Sequence, residues 1–325
     1  MLLPRLVIGL FIGAAALLAP AALPAHGQDY PSKPIKIIVP IAPGGVADIV
    51  SRVVAQKISE GGKHTVIVEN RAGGGGVPGT DAVAKAAPDG YTLLTGFHGP
   101  LAILPHLQKL PYDPAKDLVP IINMIMVPNI LTVHPSVPAK TVQELIAYAK
   151  ANPGKLSYAS QGVGATGHIG GELMKLLAGI EMTHIPYRGA APAAQDLIAG
   201  HVSMMLDVVP LAIGPVKEGR VRAIGVATKE RVAVLPDVPT LAEQGLPLEL
   251  TAWFGLLAPA GTPKAAIDWI NREANRALSA PDARERFRAS GAVLPLGTPE
   301  AFAAHIEAET KKFGDVIRRA NIRIN

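Results

Sequence analysis

The stretch YASQGVGATGHIGGELMKLL contains a G-x-G-x-x-G motif, made of Gly162, Gly164 and Gly167. The pattern predicts a strand before the motif (155–160) and a helix after it (169–177). A glycine turn at a helix N-terminus presents free backbone N–H groups, which attract phosphate, carboxylate or sulfate. We therefore predict an anion site at this turn, where His168 either donates to the ligand or caps the helix and packs.

The same motif belongs to the dinucleotide-binding fingerprint, which also requires an acidic residue at the end of the second strand, about 20 residues further on. Glu181 lies near that distance, but it precedes the next predicted strand (182–187) instead of ending it. The N-terminus also carries an export signal, and free nicotinamide nucleotides are scarce outside the cytoplasm. These features disfavour a nicotinamide-dependent oxidoreductase, which stays an alternative hypothesis.

A second glycine turn repeats this plan near the start of the chain. KIIVPIAPGGVADIVSRVVA, from Lys36, has the strand–glycine–helix order of KLSYASQGVGATGHIGGELMKLL, from Lys155. It lacks the Gly-Lys-Ser/Thr ending of a P-loop, so nucleotide hydrolysis has no support. One such turn in each of two α/β lobes predicts a cleft with two anion sites, each at a helix N-terminus.

Two charged side chains each have a functional and a structural interpretation. Arg188, in PYRGAAPA, is either a counter-ion for a carboxylate or one half of a surface salt bridge. Asp207 lies at the carboxyl end of a predicted strand (202–209), where ligands bind in open α/β sheets, or it is a turn residue. The glycine run AGGGG (72–76) is interpreted as a flexible loop.

Composition excludes several kinds of reaction centre. The chain has no cysteine, which rules out thiolate catalysis, cysteine-based zinc sites and iron–sulfur clusters. It contains neither a G-x-S-x-G elbow nor an H-E-x-x-H motif. Its net charge of +5 is scattered and aromatic residues are few, so no nucleic acid is expected as a partner. We predict a binding site with no catalytic residue, no metal and no cofactor.

Residues 1–27 are predicted to be a secretory signal peptide. Arg5 precedes an apolar run (6–19) that is shorter than the roughly 20 residues of a membrane span. A short membrane anchor is the alternative. Ala25-His26-Gly27 offers a small-x-small cleavage site. We expect the mature chain in the periplasm, where its size allows a stable core without disulfides.

Beyond residue 27, short apolar runs alternate with amphipathic stretches, which predicts an α/β fold with mainly parallel sheets. Strands are predicted at 34–42, 64–70, 91–96, 155–161, 182–187, 202–209 and 221–228. Helices are predicted at 46–59, 80–87 (with Thr80 as N-cap), 141–154, 169–177, 191–200 and around 299–320. One more strand and a long helix are expected between 249 and 279.

Four long segments carry a resemblance to a known family: YPSKPIKIIVPIAPGGVADIVSRVVAQ, VENRAGGGGVPGTDAVAKAAPDGYTLLTG, IPYRGAAPAAQDLIAGHV and AWFGLLAPAGTPKAAIDWINREANRAL. They resemble the Bug family, the TctC-type periplasmic solute-binding proteins of tripartite tricarboxylate transporters. The resemblance implies a two-lobed Venus-flytrap protein, which holds a small carboxylate through backbone amides and ordered waters from two loops. The implied loop residues are Ile41, Ala42, Pro43, Gly44, Gly45, Ala47 and Asp48 in one lobe, and Ser160, Gly162, Gly164, Ala165, Thr166 and His168 in the other.

The chain departs from the commoner sequence pattern of the family at a few positions. Ala47 replaces a frequent hydroxyl residue, Ala165-Thr166 replaces a serine-rich stretch, and Phe97-His98 stands where small polar residues are usual. The backbone cradle is expected to persist, because amides do not depend on these side chains. The ligand is predicted to be a mono- or dicarboxylate, and Phe97 and His98 suit an aromatic or longer acid.

The sequence predicts that lobe 1 comprises 28–128 and 250–325, and that lobe 2 comprises 129–249. The strands that join the lobes are expected near 127–133 and 250–257. Closure would trap the anion between the two helix N-termini. We expect a monomer that delivers its ligand to the permease subunits of a tripartite transporter. A sensory protein that presents its closed form to a signalling partner is the alternative.

Overall fold

The computed structural model describes residues 30–319 and 321–323, so the predicted signal peptide lies outside the described residues. The chain first alternates strand and helix, as predicted: β1 (Ile35–Val39), α1 (Val46–Ser59), β2 (Val66–Asn70), α2 (Val77–Ala84) and β3 (Thr92–Phe97). The apolar run of β1 is almost entirely buried, as expected for a strand covered on both faces. Helix α1 buries one apolar face, which includes Val50, Val53 and Val54.

A second α/β series occupies the middle of the chain. It begins after a short helix α3 (Pro114–Asp117) and the long strand β4 (Leu118–Val133). Its elements are α4 (Val142–Ala151), β5 (Ser157–Ser160), α5 (Thr166–Ala178), β6 (Thr183–Pro186), α6 (Ala190–Ala199), β7 (Met204–Val208), α7 (Val209–Lys217) and β8 (Arg222–Val226). The chain then returns through β9 (Thr251–Pro259) to α8 (Lys264–Ser279), α9 (Pro281–Ala289) and α10 (Pro299–Arg319).

The nine strands form one curled sheet in the order β2-β1-β3-β9-β4-β7-β5-β6, with β8 also paired to β4. The strands are parallel in both outer parts, where β1 pairs with β2 and β3, and β5 pairs with β6 and β7. Between them β9 and β4 run antiparallel to their neighbours, which makes the whole sheet mixed. The outer parts are the sheets of two lobes, and β4 and β9 connect them.

Strand β4 changes its partners near its middle. It pairs with β9 as far as Pro128, and from Asn129 it pairs with β7 and β8. A proline cannot donate a ladder hydrogen bond, so it is tolerated in a strand at irregular points. Pro120 stands at a register shift and Pro128 at the end of the β9 pairing. The structure has one continuous strand of 16 residues here. The sequence predicted a strand only near 127–133, because proline within a run argues against a central strand.

Some local predictions differ from the structure. Thr80 is not the N-cap of α2, because that helix already begins at Val77 and Gly76 is its N-cap. Helices α7 and α9 were not predicted. The glycine run is not simply a flexible loop either, since Gly74–Gly76 forms a 3₁₀ turn that leads directly into α2.

A continuous apolar core links the two lobes. One buried cluster extends from Leu94 and Trp253 in the first lobe to Leu206 and Tyr158 in the second. A second cluster packs α1 and α8 on the other face of the first sheet. Within residues 30–319 and 321–323, no helix combines the length and the apolar character that crossing a bilayer would require.

Candidate functional site

A cavity of about 670 Å³ lies between the two lobes. The first lobe contributes segments 40–46 and 72–78 to its wall, and the second contributes segments 161–166 and 186–192. Where the connecting strands join the lobes, the wall includes five apolar residues, here called the hinge wall: Phe97, Val208, Leu211, Ala252 and Phe254. Phe97 pairs with Phe254 across β3 and β9, and Val208 pairs with Asn129 on β4.

Five helices begin at this cavity. Their N-cap residues all lie in the wall: Gly45 of α1, Gly76 of α2, Ala165 of α5, Gly189 of α6 and Val208 of α7. None of these five N-cap residues makes a capping hydrogen bond with its own side chain, although the Val208 N–H at the start of α7 donates to Asp207 Oδ1. The first N–H groups of a helix have no intrahelical acceptor, and they carry the positive end of the helix dipole. The convergence of these helix ends favours an anion in the cavity.

The turn before α1 is held by Asp48. Its carboxylate accepts hydrogen bonds from the Gly44 N–H and from Arg52 Nε, both at 3.0 Å. Burial raises the pKa of Asp48, but the hydrogen bonds from Arg52 and Gly44 outweigh it and hold the pKa below its ordinary value. Ala47 and Asp48 are buried outside the wall and Gly44 is exposed outside it, whereas the wall itself contains Ile41, Ala42, Pro43 and Gly45.

The turn before α5 is held in a similar way. The Ser160 hydroxyl donates to the Gly162 carbonyl at 3.1 Å and lies 2.7 Å from His184 Nε2. His168 Nδ1 accepts from the Gly164 N–H at 3.3 Å, and its ring stacks on His184 with 4.3 Å between centroids. Ser160, Gly164 and His168 thus support the turn from behind, whereas the wall contains Gly162, Ala165 and Thr166.

The two lobes touch across the cavity. Gly164 has φ +76°, and a Cβ placed there would lie 2.5 Å from Leu104 Cδ2, which belongs to the segment after β3. A Cβ on Gly75 would lie 3.1 Å from the Val163 carbonyl oxygen in the other lobe. A Cβ on Gly189 would lie 3.7 Å from Ala42 Cβ. The structure therefore corresponds to a closed arrangement, in which small residues let the loops meet.

Arg188 lies in the wall on the loop before α6. Among the wall residues that the structure describes, Arg188 alone has a charged side chain. The wall also includes Tyr187, whose hydroxyl donates to Asp196 Oδ2 at 2.6 Å. The position of Arg188 is compatible with the carboxylate counter-ion that the sequence suggests.

Asp207 is buried directly behind the hinge wall. Its Oδ1 accepts the Val208 N–H at 2.7 Å, and the Gln161 side chain is its other hydrogen-bonding neighbour. Burial raises the pKa of Asp207 to about 7, against the opposite effect of these hydrogen bonds. Asn129 Nδ2 joins this group to the α5 turn, because it donates to Thr166 Oγ1 at 3.1 Å and to the Asp207 carbonyl at 3.2 Å.

Phe97 and His98 both lie in the wall, at the end of β3. The Phe97 ring lies 6.1 Å from that of Phe254, and the His98 ring lies among Phe97, Trp253 and Phe254. Burial lowers the pKa of His98 to about 3, so the imidazole is neutral at physiological pH. His98 Nδ1 is buried and has no hydrogen-bond partner among the described residues.

Several wall residues were not predicted from the sequence. They include the glycine segment 72–76, Gln161, Tyr187 and Phe254. A local signal existed for the start of α6 within segment 186–192, since a glycine before Ala-Ala-Pro is typical of a helix start. No local signal identifies Phe254, which reaches the cavity only because β9 lies beside β3.

The described residues contain no group of three or more histidine, aspartate or glutamate side chains that could hold a metal ion. The site therefore consists of backbone amides, one guanidinium group, a few neutral polar side chains and an apolar wall. This arrangement can bind and orient an anion.

The profile of the TctC family, described as "Tripartite tricarboxylate transporter family receptor", matches residues 50–322. The chain is 37% identical over 321 residues to Protein BugT of Bordetella pertussis, an alignment that covers 98% of this chain and 97% of that protein. It is similar to an R. palustris structure with adipate (34% identity, TM-score 0.87, 91% of this chain and 99% of that one). It is also similar to MatC from Rhodopseudomonas palustris with bound malate (33% identity, TM-score 0.84, 89% and 100%).

Proposed function

The chain belongs to the tripartite tricarboxylate transporter receptor family, and on that premise we propose that it captures a small carboxylate between its two lobes and delivers it to a tripartite transporter. One observation supports the proposal above all: five helices, none capped by the side chain of its own N-cap residue, begin at one interlobe cavity. Adipate and malate in the two similar structures support the ligand class. The family consists of solute-binding proteins, and the chain is not an enzyme.

In this proposal the carboxylate lies between the glycine turns that precede α1 and α5. Backbone N–H groups at each helix end bind its oxygens directly or through water, and each helix end contributes about 0.3–1 kcal/mol, up to about 2 in a partly buried site. Arg188 supplies a formal positive charge from the second lobe. Closure removes bulk water from the site, which strengthens every one of these interactions.

The location and the partners follow from the same proposal. Residues 1–27 direct the chain to the periplasm, and the mature protein acts as a monomer. Lobe 1 comprises 28–128 with 250–325, and lobe 2 comprises 129–249, as the pairing switch at Asn129 supports. The membrane partners are permease subunits that receive the closed, loaded form.

A ligand screen tests the proposal directly. Thermal unfolding of the mature protein is followed with mono- and dicarboxylates, aromatic acids included, and with the matching neutral amides as controls. A ligand at 100 times its Kd adds about 2.7 kcal/mol to the free energy of unfolding. We expect stabilisation by at least one carboxylate and none by its amide. The proposal fails if no carboxylate raises the melting temperature.

A further inference from the structure

We infer that the cavity selects a monocarboxylate with an apolar body over a dicarboxylate of the same length. This inference rests on the proposed function, and it concerns the end of the ligand that lies away from the glycine turns. The sequence left mono- and dicarboxylates equally open. The composition of the wall favours monocarboxylates.

The formal charge of the wall matches one carboxylate. Arg188 is the single charged side chain among the described wall residues, and His98 is neutral because burial lowers its pKa to about 3. Four of the five helix starts belong to the loops that face each other across the cavity, at Gly45, Gly76, Ala165 and Gly189. One carboxylate bound between these loops uses the available positive potential.

At the fifth helix start, that of α7, one N–H group already has an acceptor. It lies in the hinge wall at Val208, whose N–H donates to Asp207 Oδ1 at 2.7 Å. The protein's own carboxyl group therefore accepts one of the N–H groups that a second ligand carboxylate would use here. Asp207 titrates near neutral pH, since burial raises its pKa to about 7, and its charged form repels a nearby anion.

The hinge wall offers no compensating donors. Its five side chains, defined above, are all apolar. The neighbouring His98 imidazole is neutral, and its buried Nδ1 has no partner among the described residues. A carboxylate placed here loses its water without gaining a hydrogen bond from these five side chains, whereas a methyl or phenyl group is stabilised by burial.

The test compares acids that differ only at this end. Calorimetry on the mature protein compares the affinity for hexanoate with that for adipate, and the affinity for phenylacetate with that for its 4-carboxy derivative. We expect the monoacid of at least one pair to bind tighter than its diacid by roughly tenfold or more. Equal affinity, tighter diacids, or binding of malate alone overturns this inference and leaves the proposed function standing. Binding of no carboxylate at all overturns the proposed function itself.

A variant locates the apolar end of the ligand. Leu211→Arg places a cation in the hinge wall, and we expect it to shift the adipate-to-hexanoate affinity ratio at least tenfold towards adipate. Glu218→Gln is the control, because it changes the net charge equally at the exposed C-terminal end of the same helix. If Leu211→Arg does not fold, the nearly isosteric Val208→Thr replaces it. We then expect a smaller shift of the same affinity ratio towards adipate. An unchanged ratio in the folded hinge-wall variants overturns the inference.

Discussion

At the scale of single residues, the side chains near the cavity divide into those that face it and those that shape its loops. Asp48 and His168 stand close to the glycine turns in sequence, and each accepts a hydrogen bond from a turn N–H. Neither is in the wall. In the proposed function, backbone groups and Arg188 contact the anion, and polar side chains outside the wall fix the backbone that presents these groups.

Asp207→Asn is expected to change how stability depends on pH. The ordinary pKa of 3.8 describes the unfolded chain, and the folded pKa is about 7. Between these values the folded protein holds a proton that the unfolded chain has lost, so this group's contribution to stability falls as the pH rises from 4 to 7. The variant lacks the titration, and its stability relative to wild type should increase by about 1–4 kcal/mol from pH 5 to pH 8.5.

Denaturant unfolding at the two pH values measures this difference. Histidines such as His98 and His184 also contribute to the pH dependence of stability, in the opposite sense, because burial lowers their pKa values. Their contributions are the same in the variant and in wild type, so they cancel in the comparison. A stability difference that stays constant between pH 5 and pH 8.5 would show that Asp207 is charged throughout.

At the scale of elements, the cavity depends on helices that begin where strands end. The sequence predicted this plan for α1 and α5 from their glycine turns. Helices α2, α6 and α7 follow it as well, because their N-cap residues also lie in the wall. In α/β sheets the carboxyl ends of parallel strands lie at one edge, so the helix starts that follow them gather there.

Gly164→Ala is expected to weaken ligand binding by roughly tenfold or more, because its Cβ would lie 2.5 Å from Leu104 Cδ2 of the facing lobe and hinder closure. Gly154→Ala is the matched control. It lies in the same lobe at φ +73°, close to the +76° of Gly164, but its Cβ meets no described atom within 4 Å. Both variants carry the strain of a left-handed backbone, and only one carries the clash.

Calorimetric affinities and melting temperatures separate these two effects. Leu104→Ala in the Gly164→Ala background should recover part of the lost affinity, because it removes the clashing methyl groups. If Gly154→Ala weakens binding as much as Gly164→Ala, backbone strain and not the contact between lobes is responsible.

At the scale of the whole molecule, β4 and β9 hold the lobes in one sheet while the loops meet across the cavity. The switch of β4 pairing at Asn129 lies beside Thr166 and Asp207, to which the Asn129 amide donates. The point where the lobes join is thus hydrogen-bonded to the turn that precedes α5. Motion of one lobe against the other must be accommodated near this group.

A disulfide across the entrance is expected to lock the closed form. A Cβ on Gly189 would lie 3.7 Å from Ala42 Cβ, within the roughly 3.5–4.5 Å that a disulfide requires. The chain has no cysteine of its own, so Ala42→Cys with Gly189→Cys forms a single defined bond. Oxidised with ligand bound, the double variant should retain the ligand through gel filtration, and oxidised empty it should not bind.

Reduction should restore exchange, and each single cysteine variant treated with the same oxidant is the control. Ligand retention is measured with a radiolabelled carboxylate. Unhindered binding to the oxidised, empty double variant would show that these two loops do not bound the entrance.

The sequence by itself determined the local features of this protein. Runs such as PIKIIVPIA and the glycine turns after them predict strand, turn and helix through short-range sterics and periodicity, and four long motifs identify the family. Only the tertiary structure decided which residues face the cavity. Phe254, Gly75 and Leu211 reach it through strand order and loop contacts between distant segments, whereas Asp48 and His168 turn away from it. Local sequence patterns determine where strands, turns and helices form. Packing between segments that are distant in sequence determines which atoms each side chain contacts.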